Sequence, residues 1–221
     1  MSSSSLKNAE NLALKLFLEI ENQGLIQPGK TEEQLNDEVY ELSKNLLGAR
    51  RHWHKRIVRS GKNTLLPYYE NPPNLTIQKD DILFFDFGPI LDQWEADLGR
   101  TYVLGNDPVR IKLKNDIETS WYSTKKWFES KESCTGSELY AHVLSLANTH
   151  GWAFGGEMAG HIIGEFPHEK LDPKSYDLYV HPENHNDMKK AIRGKQRDWI
   201  LEIHFVDRAK EIGGFFEQLL T

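Results

Sequence analysis

The chain has a single cysteine, Cys134, in 221 residues. That excludes an intramolecular disulfide and any metal site built on several thiolates. No run approaches the ~18–20 consecutive apolar residues of a membrane helix, so no membrane partner is expected. The opening MSSSSLKNAEN lacks both a basic n-region and an apolar h-region, which predicts no secretory signal and a cytoplasmic location. Basic residues are in deficit: 27 Lys and Arg against 33 Asp and Glu leave a net charge of −6. Nucleic acid is therefore not an expected partner, since phosphate binding wants a basic patch. Internal repeats and obvious linkers are also missing. What is present is 38% hydrophobic and 11% aromatic, with six Trp, which suits a packed core and argues against disorder. One domain spanning 1–221 is expected.

Apolar residues recur at helical spacing from Leu6 to Leu47, interrupted by Gly24, Pro28 and Gly29. Thr31 followed by Glu32 and Glu33 reads as a helix N-terminus. This predicts two amphipathic helices joined by a turn, then a loop at Asn71–Asn74. DDILFFDFGPIL reads as a buried strand and Gln93–Leu104 as a second. Helices follow over 109–130 and 137–150, and strands over 198–206 and 214–219. The class is α+β around one core.

Five ionisable residues lie where apolar or glycine-rich sequence offers them no ordinary solvent role. Asp86 is embedded in LFFDFG and Asp97 in WEADLGR, His161 is framed by GHIIG, Glu202 interrupts WILEIHFV, and Glu217 interrupts GGFFEQLL. Buried charges are paired or bound to metal. A single such acid reads equally as half of a salt bridge; four acids with one imidazole point to divalent cations, often in pairs. Charge counting agrees, because four carboxylates balance two divalent ions.

The order Asp86, Asp97, His161, Glu202, Glu217 resembles the five metal ligands of the pita-bread metallopeptidases, which include methionine aminopeptidases, Xaa-Pro aminopeptidases, prolidases and creatinase. PGKTEEQL, SGKNTLLPYYE, DILFFDFG, DLGRTYVLG and GHIIGEFPHE are similar to successive segments of that family. The resemblance implies a pita-bread fold, with antiparallel sheet halves, helices outside and two divalent ions between. Mn²⁺ or Co²⁺ are the foremost candidates, followed by Zn²⁺ and Fe²⁺. It further implies Glu202 as ligand and general base, and His168 as a catalytic imidazole. The substrate implied is a short peptide cut after its first residue, Xaa-Pro among them.

Two departures stand out. Tyr68 occupies the place of the histidine in the family's SG-x-N-x-x-x-P-H-Y segment, and His204 follows Glu202 where the family has Pro-Gly. Residues two apart on a strand share a face, so His204 can face the metals and, with Tyr68, join the catalytic set. The separate N-terminal domain of prolidases is not expected here. A metal-dependent hydrolase or lyase of a small molecule and a non-catalytic binding protein are the alternatives.

Other features carry less. Asp86-Phe87-Gly88 lacks a kinase's accompanying motifs, His181 and His185 sit in a polar loop, and RRHWHKR with His52 and His54 reads as a solvated basic segment. Cys134 is expected to be a structural thiol. Tryptophans left exposed on an acidic surface would favour a homodimer.

Overall fold

The computed structural model describes residues 4–172 and 175–221. Helix α1 (Ser4–Asn22) buries Leu6, Ala9, Ala13, Leu16, Phe17 and Ile20, a three-and-four spacing that forms one stripe. Helix α2 (Glu32–Leu47) starts at Thr31, whose hydroxyl accepts from the Gln34 N–H while the Gln34 side chain accepts from the Thr31 N–H. This reciprocal cap fixes the boundary that the sequence indicates. The chain continues through β1 (Ile57–Ser60), a 3₁₀ turn (Gly61–Leu65) and β2 (Ile82–Phe87).

The expected strand over 93–104 is two strands. A hairpin of β3 (Ile90–Leu91) and β4 (Trp94–Glu95) turns on Asp92 and Gln93, both at positive φ, and β5 (Leu98–Val103) begins only after Asp97. The break has a cause: the Ala96 N–H bonds the Pro89 carbonyl, which carries the β3–β4 hairpin register one pair further and keeps the chain off β2 until Leu98. Helix α3 (Pro108–Glu129) is capped by Asp107, and α4 (Gly136–His150) by Thr135. After β6 (Ala153–Phe154) and β7 (Ile162–Ile163), the hairpin of β8 (Asp198–Asp207) and β9 (Ile212–Leu219) completes the chain.

Among the described residues the main sheet has seven strands in the order β1-β2-β5-β9-β8-β6, with β7 paired to β8. All its pairings are antiparallel. Alternation along each strand separates two faces. On β2, Leu83, Phe85 and Phe87 pack with α1 and α2; on β8, Leu201, Ile203 and Phe205 pack in the cluster of α3 and α4. Trp121 of α3 donates its indole N–H to the Leu201 carbonyl at 2.8 Å, tying that helix to β8. The opposite face carries Phe84 and Asp86 of β2, Glu202 and His204 of β8, and Phe215 and Glu217 of β9, all of which line one cavity. None of the six Trp is exposed, so the tryptophans give no ground for the homodimer. Cys134 is buried, and burial pushes its thiol up to about 11.

Candidate metal centre

The sheet register sets a row of four positions. Asp86 pairs with Gly99, Gly99 with Glu217, and Glu217 with Glu202. Registered partners share a face, so Glu217 and Glu202 project side by side and Asp86 stands on the same face across Gly99. Asp97 enters from the break before β5. His161 enters from the turn before β7, where Gly160 at φ +139 lets the chain press against β8. A Cβ at Gly160 would collide with the Ile200 carbonyl, so this approach is open only to glycine.

Asp86, Asp97, His161, Glu202 and Glu217 all line a cavity of about 300 Å³, and Tyr68 and His204 line it too. Ligand-type atoms of Asp97, His161 and Glu217 lie within 4.8 Å of one another. The Nε2 of His161 is 3.4 Å from Asp97 Oδ2, while its Nδ1–H donates to the Ile162 carbonyl at 2.8 Å. Tyr68 sits on a loop fixed by buried Arg59, whose guanidinium donates to the carbonyls of Leu66, Pro67 and Glu70. Its phenol oxygen accepts from the Lys55 N–H at 3.3 Å, and although the residue is largely exposed, partial burial raises its pKa, so the O–H remains a donor at neutral pH. His204 is less free. Its ring nitrogen is 2.8 Å from the Thr64 carbonyl, to which it donates, and burial holds its pKa down at about 4. It is a neutral wall of the cavity. His168 is not among the lining residues: its Nδ1–H donates to Glu95 Oε2 at 2.6 Å, and its ring stands 6.4 Å from that of His161.

Burial dominates the electrostatics. It raises Asp86 to about 6 and Glu202 to about 7, and it raises Glu217 well above the carboxylate range, with Asp97, Asp86 and Glu202 adding repulsion. Burial would raise Asp97 too, but the His54 and His161 imidazoles hold it below its ordinary value.

Three residues outside the sequence-derived set matter. His54, read as part of a solvated segment, is instead turned inward: its side chain is 7% exposed and its Nε2 lies 3.1 Å from Asp97 Oδ1. His52 in the same segment is also half-buried, and burial drops its pKa to about 4. Glu95, 1% exposed, accepts from both the ring and the backbone N–H of His168. Glu32 is a buried clamp, accepting from Ser60 and Asn63 and thereby joining PGKTEEQL to SGKNTLLPYYE. The signal for Glu95 was its spacing of two from Asp97 in WEADLGR; for His54 there was none, because the basic residues around it point to solvent.

The profile of Metallopeptidase family M24 matches residues 4–192 of the chain. The chain belongs to this family. The matched stretch contains Asp86, Asp97 and His161 and ends before the β8–β9 hairpin that carries Glu202 and Glu217. The Xaa-Pro dipeptidase of Pyrococcus horikoshii is 27% identical over 157 residues, 70% of this chain and 44% of that protein. This chain therefore spans less than half of that relative. The X-Pro aminopeptidase of Thermotoga maritima superposes with a TM-score of 0.77 at 20% identity, covering 98% of this chain and 59% of the other. The methionine aminopeptidase of Rickettsia prowazekii gives 0.70 at 17%, covering 97% and 90%. The pita-bread fold anticipated from sequence is the fold observed.

The residues fit a divalent cation. Glu217 Oε2 is buried without a hydrogen-bond partner among the described residues, a costly arrangement for a carboxylate. The His161 Nε2, with Nδ1–H engaged by the Ile162 carbonyl, faces Asp97 and is the ring atom open to an ion. Hard oxygens with an imidazole are a donor set for first-row divalent ions.

Proposed function

We propose that this chain is the catalytic unit of a peptidase that needs two divalent ions and releases the N-terminal residue of short peptides, Xaa-Pro sequences included. The observation that carries the reading is the convergence of four acids and His161 on one cavity, with an unpartnered oxygen on Glu217. Asp86, Asp97, His161, Glu202 and Glu217 would hold the ions. When bound, such ions supply Lewis acidity toward a scissile carbonyl and make a water more acidic.

The rest of the chemistry falls to the chain's own groups. Glu202, raised by burial to about 7, is suited to take a proton at its carboxylate near neutral pH. The Tyr68 O–H is placed to donate to an oxyanion. His168, oriented by Glu95, would hold the substrate from beside the cavity. Apolar walls from Trp53, Leu66, Phe84, Met158 and Phe215 suit a small side chain or a proline ring, and ~300 Å³ lies at the small end of ligand pockets.

Tyr68 in place of histidine favours a second reading, hydrolysis or lysis of a small non-peptide molecule at the same site. Chelator-treated protein, reloaded separately with Mn²⁺, Co²⁺ and Zn²⁺ and offered a dipeptide and tripeptide panel, separates the two. Metal-dependent release of N-terminal residues supports the peptidase; inertness toward the whole panel contradicts it.

A further inference from the structure

His54 repeats the hydrogen-bond arrangement of His161. In each, Nδ1 lies against the main-chain carbonyl of the next residue: Ile162 at 2.8 Å for His161, Lys55 at 2.7 Å for His54. In each, Nε2 is directed at Asp97, at its Oδ2 from His161 and its Oδ1 from His54. A carbonyl only accepts, so Nδ1 carries the proton and Nε2 of a neutral ring presents its lone pair. The His54 lone pair then meets Asp97 at 3.1 Å and Asp86 at 3.5 Å, both acceptors. Three acceptors meeting at one point need either a proton on Nε2 or a metal ion among them. Ligand-type atoms of His54, Asp86 and Asp97 lie within 4.8 Å of one another, as do those of Asp97, His161 and Glu217. Asp97 belongs to both groups.

The fold is built to admit this ring. The Trp53 N–H donates to the Gly88 carbonyl and its indole N–H to the Ala96 carbonyl, which pins the segment across β2 and the β4–β5 break. A Cβ on Gly88 would collide with the His54 ring and the Trp53 indole. The glycine two residues after Asp86 is therefore the opening through which the imidazole reaches the carboxylates.

We propose that His54 is a sixth metal ligand, binding through Nε2 the ion held by Asp86 and Asp97, so that each of the two ions has one imidazole. The assignment rests on the dinuclear reading above. A donor bound through its lone pair, with the other ring proton held by a carbonyl, is the usual state of a metal-ligating histidine. A nitrogen donor on each ion moves the preference toward Zn²⁺, Co²⁺ or Fe²⁺ and away from Mn²⁺.

The alternative role, a protonated imidazole paired with Asp86 and Asp97, makes the opposite prediction for cation binding. Removing a ligand weakens the second ion; removing a competing cation strengthens it. Zn²⁺ binding by wild type, His54→Ala and His54→Gln is measured by competition with a chromophoric chelator. We expect two ions bound by wild type, and in both variants an unchanged first ion with the second weakened at least ~10-fold. A second ion bound equally or more tightly in the variants overturns the assignment alone. Fewer than two ions on wild type overturns the dinuclear reading and this assignment with it. Long-range ¹H–¹⁵N correlations of the imidazoles in Zn²⁺-loaded wild type need no variant: both His54 and His161 Nε2 should show metal-bound shifts, and a shift at His161 alone rejects the proposal.

Discussion

Glu202 and Glu217 are direct register partners across the β8–β9 hairpin, with their carboxylates turned into the same cavity. Like charges directly opposite one another destabilise a sheet, and burial adds to the cost. Replacing one with a neutral amide should relieve it. Glu217→Gln is expected to stabilise the metal-free protein by about 1–3 kcal/mol and to weaken ion binding at the same time. Chemical denaturation in chelator, compared with denaturation in excess Zn²⁺, reads both effects. A variant less stable than wild type in chelator would show that the Glu217 carboxylate is satisfied in some other way.

The metal-free protein should lose stability as pH rises from 6.5 to 9. Burial alone would lower His54 and His161, but their carboxylate neighbours raise both to about 9. Groups whose folded pKa lies above the unfolded value stabilise below the unfolded value and lose that contribution on the way up. Glu202, raised to about 7, acts in the same direction over its own range. His52 and His204, lowered to about 4, act with the opposite sign but below pH 6.5. At about 1.4 kcal/mol per unit, the loss is on the order of a few kcal/mol. Urea midpoints in chelator across this window check it, and a flat or rising profile contradicts it.

Much of the site was legible before the fold was known because burial leaves a mark in sequence. An acid inside LFFDFG or GGFFEQLL has no solvent to face, and strand periodicity put Glu202 and His204 on one side. The helices read true where caps were explicit, at Thr31 and Thr135. The strand over 93–104 did not, because positive φ at Asp92 and Gln93 and the return of Ala96 to Pro89 are tertiary choices. His54 was hidden for a related reason. Four basic neighbours, Arg50, Arg51, Lys55 and Arg56, mark a solvated segment by composition, and only the space left by Gly88 turns the ring inward. Glu95 has no mark of its own in the sequence beyond its spacing from Asp97, because its partner, His168, lies far along the chain.

His168 and Glu95 should affect turnover without affecting the metals. His168→Ala is expected to lower kcat by roughly 10²–10⁴ with two ions still bound. Glu95→Gln should lower it less, since an amide oxygen still accepts from the backbone N–H and positions the ring weakly. Metal content by mass spectrometry alongside steady-state kinetics makes the comparison. Loss of metal in His168→Ala would reassign that residue to the ion site.

In the proposed reaction Tyr68 would set the balance between peptide and other substrates. Its phenol donates but, with its pKa raised by burial, delivers a proton poorly near neutrality. An imidazole does both. Tyr68→His is expected to raise turnover of Xaa-Pro dipeptides several-fold, while Tyr68→Phe should reduce wild-type turnover about 10-fold by removing an oxyanion donor. Indifference of kcat to both changes would remove Tyr68 from the chemistry.

The acids and imidazoles around Asp97 are proposed to form a site for two divalent ions. Asp97 is the test residue because it faces both His54 and His161. The direct measurement is the number of Co²⁺ ions retained per chain after equilibrium dialysis, for wild type and Asp97→Asn, with folding verified by circular dichroism. Two ions on the wild type and fewer than one on the variant is the predicted result. Retention of no ion by the wild type, or equal retention by both proteins, would contradict the account.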